Sequence, residues 1–333
     1  MADVPAKLSL SIFDPTQPFI EKARSVFEFQ VANNPVYRRF AFHFIPAGEL
    51  PETVDDIPLL PIRAFKECNL VAEGFEPELT FKSSGTGKMD RSSHHVVDLD
   101  LYRRSILQGF SQYFNSTEFT LLCYAPGYSD NPDSSLLWML QYLVDLDKNG
   151  QSRFLPLGQP LRSSNIKRAV QNDRQIVLFG AAFGLLDLLD LDSLKLPGGS
   201  HIIETGGMKT HRREMSKTDL RYKLANGFDV PLDHIHSEYG MCELMSQLYA
   251  IGDEWFEAPG WVHASVRDPL NPARPCDPGE EGKVAIMDLA NLYSCPFILT
   301  DDRGVINEEG KLAVLGRWHS AALRGCNFLI DRD

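Results

Sequence analysis

The chain has 333 residues, 43% hydrophobic and 23% charged, the balance of a soluble globular protein of one or two domains. Its net charge of −12 is spread along the sequence, which argues against nucleic-acid binding and gives no pull toward anionic membranes. It has no apolar run long enough for a membrane span, no basic-then-apolar leader at the N-terminus, and six cysteines without CxxC spacing, which together point to a cytoplasmic protein with reduced thiols and no zinc site.

Phe19, Ala23, Phe27 and Val31 recur at every fourth position and predict an amphipathic helix, with Asp14-Pro15 suited to its start. Tyr102, Ile106 and Phe110 mark a second helix. Residues 136–144 follow Asp133-Ser134, are apolar all round, and predict a buried helix. Short apolar strands are expected at 119–123, 176–179, 201–203 and around His234-Ile235-His236. Strands alternating with helical patterns predict parallel βαβ units. Several strands run into small or polar turns: Ala125-Pro126-Gly127, Gly180-Ala181-Ala182, Thr205-Gly206-Gly207 and Glu238-Tyr239-Gly240. Open α/β sheets bind ligands beyond the carboxyl ends of their strands, so these turns mark the expected site. Residues 252–282 are rich in Pro, Gly and Asp and read as irregular connections. Residues 283–289, 297–300 and 312–315 read as antiparallel strands of a smaller β-rich subdomain, with a boundary near residue 255.

Two segments carry chemistry. Ser83-Ser84-Gly85-Thr86-Gly87-Lys88 combines glycines that let backbone N–H groups converge on an anion, three hydroxyl donors and a lysine charge. GxxxxGK[ST] cannot be threaded through it, so it is not a Walker A loop, and an ordinary turn would use the same residue types. In Ser237-Glu238-Tyr239-Gly240-Met241-Cys242-Glu243, Tyr239 offers a flat face for a purine and Glu243 a hard oxygen ligand for Mg2+. A core tyrosine and a solvated carboxylate are the plain alternatives.

Taken together and in order, these segments resemble the adenylate-forming enzymes (acyl-CoA synthetases, luciferases, adenylation domains). Residues 83–88 are similar to the SSGTTGxPKG phosphate loop, and Glu238 to Glu243 to the YGxTE motif. Thr205-Gly206-Gly207 is similar to the adenine-side GG turn, Thr300-Asp301-Asp302 to the TGD ribose segment, and Gly316-Arg317 to the hinge GR pair. The loop is one threonine and a proline short of the general pattern; Cys242 stands in place of the threonine of YGxTE, and Asp301 in place of the glycine of TGD. A narrower resemblance, to the LuxE-like acyl-protein synthetases, rests on Ile57-Pro58-Leu59-Leu60-Pro61 with Phe65-Lys66, the short SSGTG loop, Glu238-Tyr239-Gly240-Met241 and Arg324-Gly325-Cys326-Asn327.

The resemblance implies an α/β fold, the large core of the adenylate-forming enzymes with parallel and mixed sheets flanked by helices. Residues 1–255 would form the ATP- and acyl-binding core and 256–333 the β-rich subdomain, without the C-terminal lid domain that carries the family's catalytic lysine. It implies ATP and Mg2+ as cofactors, a carboxylic and most simply a fatty acid as substrate, and an acyl reductase or acyl carrier protein as partner. Ser83, Ser84, Gly85, Thr86, Gly87 and Lys88 would hold the β- and γ-phosphates, and Glu243 the metal. Gly206, Gly207 and Tyr239 would bracket adenine, with Glu238, Gly240, Met241 and Cys242 completing the nucleotide site. Asp302 would accept from the ribose, and Arg317 would contact ribose or phosphate. Cys326 would carry the acyl group as a thioester, although a small buried cysteine suits its place equally. Phe179, Phe183 and Met208 are candidate walls of an acyl pocket, with a core role for the phenylalanines at least as good, and Lys209 is the candidate partner of the substrate carboxylate. Two rivals remain: an acyl-CoA or acyl-carrier ligase that needs a partner, and a degenerate adenylate-binding module without turnover.

Overall fold

The computed structural model describes residues 3–84, 91–115, 118–191, 194–206 and 215–318. The chain opens with α1 (Asp3–Ser11), α2 (Phe19–Asn33) and α3 (Pro35–Ala41). Helix α2 buries Ala23, Val26, Phe27 and Gln30, the face the four-residue repeat marks. It starts after Pro18 rather than at Asp14-Pro15, because Asp14 is spent on a local turn in which it accepts from Thr16 N (2.9 Å) and Thr16 Oγ1 (2.7 Å). Asn34 caps α3 by accepting from Val36 N and Tyr37 N.

Next come β1 (Leu60–Pro61), α4 (Ala64–Glu67) and an antiparallel ribbon of β2 (Leu79–Lys82) and β3 (Ser93–Val96). Helix α5 (Leu99–Ser111) starts at the cap Asp98, β4 spans Phe119–Tyr124, and α6 (Ser135–Asp145) starts at the cap Ser134. The expectation that α6 is buried all round holds for one face only: Leu137, Met139, Leu140 and Leu143 are buried, while Leu136, Trp138 and Tyr142 are partly covered. Then follow β5 (Arg153–Phe154), α7 (Ser163–Ala169), β6 (Gln175–Ala181), α8 (Ala182–Asp190), β7 (His201–Thr205), α9 (Lys217–Phe228), β8 (Ile235–Tyr239) and β9 (Leu248–Ala250). Strand β6 passes straight into α8, so Gly180-Ala181-Ala182 is a strand-to-helix junction and not a turn.

Strands β4 to β9 form one sheet in the order β5-β4-β6-β7-β8-β9, parallel except for β9, which folds back on β8. Its strands are apolar on both faces because both are covered. Leu121, Cys123, Val177, Phe179 and Ile203 face one core with the apolar sides of α5 and α6. The alternate residues Leu122, Ile176, Leu178, Ile202 and Ile235 face the other with α8 and α9.

A second sheet holds β10 (Val262–Arg267), β11 (Gly282–Asp288), β12 (Phe297–Ile306) and β13 (Leu312–Arg317) as antiparallel neighbours. Strand β10 was not expected, since it lies inside the Pro- and Gly-rich stretch read as irregular. Strand β1 joins this sheet parallel to β12, pairing Leu60 with Ile298. One apolar cluster accordingly takes in side chains from α2 and α3 together with Ile286, Phe297 and Ile298.

Candidate active site

The strands of the parallel sheet deliver their carboxyl ends to one rim, and the motif residues that the structure describes gather there. Strand β7 ends at Thr205 and turns at Gly206, whose φ of +78° is strained for a residue with a Cβ. Strand β8 ends at Tyr239, and residues 240–247 then form the turn into β9.

Ser83 and Ser84 sit where the β2–β3 ribbon opens into the loop. Ser83 N donates to Ser92 O (3.0 Å) and Ser92 N donates to the Ser83 hydroxyl (3.0 Å). Arg91 fastens this end of the ribbon: it donates to Lys82 O (3.0 Å) and pairs with Asp133 (2.7 Å), while Lys82 N donates to Asp133 O (2.9 Å). Gly85, Thr86, Gly87 and Lys88 lie outside the described residues, as do Gly207, Met208, Lys209 and Cys326.

The turn carrying Glu243 packs against this ribbon. The Ser92 hydroxyl donates a short hydrogen bond to Glu243 Oε1, and the carboxylate is 7% exposed. Asn291 donates to Glu243 O (2.9 Å) and to Cys295 O (2.9 Å). His94, on β3 two residues after Ser92, lies 2.8 Å from Cys242 O through Nδ1 and 2.8 Å from Asn291 Oδ1 through Nε2. Burial pushes the His94 imidazole down to about 4, against two hydrogen bonds that act the other way. Asp288 holds the far side of the turn by accepting from Met245 N (2.8 Å) and the Ser246 hydroxyl (2.6 Å), and burial raises it to about 6. Burial also pushes the Cys242 thiol far up, which leaves it protonated and a weak nucleophile.

A second cluster ties β8 to the other sheet. The Tyr239 hydroxyl donates to Asp302 Oδ2 (2.9 Å), and Arg317 Nε donates to Asp302 Oδ1 (3.1 Å) from the directly opposite position on β13. The tyrosine of the YGxTE-like motif, the aspartate of the TGD-like segment and the arginine of the GR pair are thus one hydrogen-bonded chain. Glu238 is buried beside it and accepts a short bond from the Thr205 hydroxyl; burial raises its carboxyl to about 7, and Thr205 offsets part of that rise. Gly240 follows because a Cβ there would lie 2.5 Å from Glu238 Oε1.

Phe179 is fully buried within the sheet, whereas Phe183 on α8 is 42% exposed, so only Phe183 presents surface. Sequence reasoning missed Ser92, His94, Asn291 and Asp288. The alternation Ser92, His94 after the loop was a usable signal for the first two; Asn291 and Asp288 reach the turn only through the fold.

The family model described as "Acyl-protein synthetase, LuxE" matches residues 139–333, more than half of the chain. The chain belongs to the LuxE acyl-protein synthetase family. It is 23% identical to the long-chain-fatty-acid–luciferin-component ligase of Aliivibrio fischeri, over 91% of this chain and 85% of the relative. It is also 23% identical to the Vibrio harveyi protein of the same name, over 91% and 84%. Membership makes the chain an acid–thiol ligase by family, and as expected its fold is that of the adenylate-forming enzymes. Among solved structures, 2-hydroxyisobutyryl-CoA ligase in its postadenylation state superposes with a TM-score of 0.61 at 14% identity, covering 91% of this chain and 69% of that one. ATP-bound MatB from Rhodopseudomonas palustris gives 0.51 at 16% identity; the match covers 72% of this chain but only 47%, about half, of the MatB chain.

Among the described residues no group of three or more His, Cys, Asp or Glu side chains could hold a metal ion. Mg2+ is commonly bound through one or two carboxylates plus substrate phosphates rather than an all-protein cage. Glu243, buried and beside the mouth of the loop, is a fitting ligand of that kind.

Proposed function

We propose that this family member activates a fatty acid with ATP and passes the acyl group to a thiol of its own chain. The observation that carries the reading is the convergence on one rim of the phosphate-loop ribbon, Glu243 and the Tyr239–Asp302–Arg317 chain. The relatives' names give fatty acids as what those proteins act on.

In the first step a carboxylate oxygen attacks the α-phosphorus of ATP, the bond to the bridging oxygen breaks, and pyrophosphate leaves, giving an acyl-adenylate. Such a step is mostly positioning and charge neutralisation. Mg2+ held by Glu243 would neutralise phosphate charge. Ser83, Ser84, Gly85, Thr86, Gly87 and Lys88 would cradle the β- and γ-phosphates. Gly206, Gly207 and Tyr239 would flank adenine, with Glu238, Gly240, Met241 and Cys242 behind it. Asp302, already oriented by two donors, would accept from the ribose, and Arg317 would contact ribose or phosphate. Phe183, Phe179, Met208 and Lys209 would shape the acyl end.

In the second step a thiolate attacks the acyl carbon and AMP leaves with the bonding pair, forming a thioester. Cys326 is the assigned carrier. Of the other cysteines, Cys123, Cys242, Cys276 and Cys295 all have thiols raised by burial, which suits structural roles. The thioester would then pass to an acyl reductase or a carrier protein. The five described cysteines are free.

Incubation with ATP, Mg2+ and a radiolabelled fatty acid tests both steps. The wild-type chain should release AMP and acquire a hydroxylamine-labile label, and Cys326→Ser should form the adenylate but take up no label. A label on the mutant would remove Cys326 from the role.

A further inference from the structure

We propose that His94 is a positioning residue for the acid-activating reaction: it holds the Glu243 turn against the phosphate-loop ribbon, with its ring proton on Nδ1. This inference rests on the nucleotide-site reading above and adds a residue that neither the motifs nor the relatives assign. It begins with a donor and acceptor count. His94 is 1% exposed, and each ring nitrogen faces one oxygen at 2.8 Å, Cys242 O on one side and Asn291 Oδ1 on the other. Cys242 O is a carbonyl and can only accept. The Asn291 amide is fixed in orientation because its nitrogen donates to two carbonyls, Glu243 O and Cys295 O, both at 2.9 Å. The oxygen facing His94 is therefore an acceptor as well. A neutral imidazole carries one N–H, so one of the two contacts receives the proton and the other does not.

The surroundings decide which. The Asn291 side chain stays anchored by its own two hydrogen bonds if His94 gives it nothing. Among the described residues the Cys242 carbonyl has no such reserve: it sits on an eight-residue turn between β8 and β9, one residue before Glu243. Either tautomer leaves one oxygen unpaired; Nδ1–H spends the single ring proton on the turn's backbone and leaves as the unpaired acceptor Asn291 Oδ1, on a side chain already held by its own two donations. Strand β3 and the residue just before it then grip the turn at two points, Ser92 on the Glu243 carboxylate and His94 on the backbone carbonyl just before it. The strand is itself anchored: His94 is paired with Phe81 in the ribbon and meets the Phe65 ring edge-on at 5.8 Å. Glu243 is thereby held against the same two-stranded ribbon from which Ser83 and Ser84 extend.

Two near-isosteric substitutions separate positioning from mere packing. The amide nitrogen of His94→Asn takes the place of Nδ1, and that of His94→Gln the place of Nε2. Both should lower the melting temperature. Only His94→Gln should speed amide exchange at residues 241–246 in the nucleotide-free protein. Only His94→Gln should weaken Mg2+-dependent ATP binding in calorimetry, by about tenfold, the usual scale for losing a group that orients a metal ligand. His94→Asn should stay near wild type in both readouts. If the two variants behave alike, or if His94→Gln matches wild type in exchange and binding, the assignment is overturned. A wild-type chain that fails to bind Mg2+-ATP at all would instead defeat the nucleotide reading, and the exchange comparison would still judge His94.

Discussion

Glu238 shows how a single buried side chain can link the site to pH. In the unfolded chain its carboxyl ionises at about 4.5, but in the folded protein burial holds the proton until about 7. Its folded pKa lies above its unfolded one, so it supports stability below about 4.5 and costs progressively more as pH rises to about 7, with no further change above. Glu238→Gln keeps an oxygen for the Thr205 hydroxyl and removes the titration. Its urea midpoint relative to wild type should therefore rise between pH 4.5 and 7 and level off beyond; a constant difference would show that the carboxyl is not held protonated. At this scale the sequence was legible where motif chemistry is local: Tyr239, Glu243, Asp302 and Arg317 all reach the expected rim. It was not legible for Asn291 and Asp288, which meet the Glu243 turn from the far sheet, because nothing in their local spacing signals a partner more than 40 residues away in the chain.

At the scale of elements, the beginnings of β7 and β8 are joined by three histidines remote from the strand ends that form the site. His201 and His234 stack with ring centroids 4.1 Å apart, and His201 Nδ1 lies 2.8 Å from His236 Nε2. Gly252 N donates to His236 Nδ1 (3.0 Å), so a neutral His236 donates from Nε2 to His201. Burial and the neighbouring rings hold His201 near 4 and His236 near 3, both below the unfolded value of 6.5. A base whose folded pKa is depressed supports stability in full above pH 6.5 and loses it as the pH falls toward the folded value. His201→Gln should therefore gain on wild type as pH drops from about 6.5 to about 4 in urea unfolding, whatever its effect at neutral pH. Parallel curves for mutant and wild type would contradict the buried-neutral assignment. The elements themselves were largely legible, since the four-residue repeat of α2 and the apolar runs of β4, β6 and β7 report burial directly. Strand β10 was not: its burial is uneven, with both ends buried and the residues between half-covered, and Pro- and Gly-rich segments flank it.

For the whole molecule, the parallel sheet sets the rim, the β2–β3 ribbon brings the phosphate-loop serines to it, and the second sheet brings Asp302 and Arg317. The proposed site lies where these three bodies meet, so on that reading five motifs spread from Ser83 to Arg317 would serve a single chemistry. Alternation within a strand placed each residue on its face, but the crossing of β1 into the far sheet, which binds the N-terminal region to β12, had no sequence signature beyond two residues. The account predicts that an acid carboxylate and ATP react at this rim. The most direct measurement is ATP–pyrophosphate exchange with Mg2+ across a panel of fatty and aromatic acids. Exchange that requires Mg2+ and a fatty acid, and that Glu243→Ala abolishes, is the predicted result. No exchange with any acid, from a folded chain that still binds AMP, would contradict it and leave a nucleotide-binding protein without turnover.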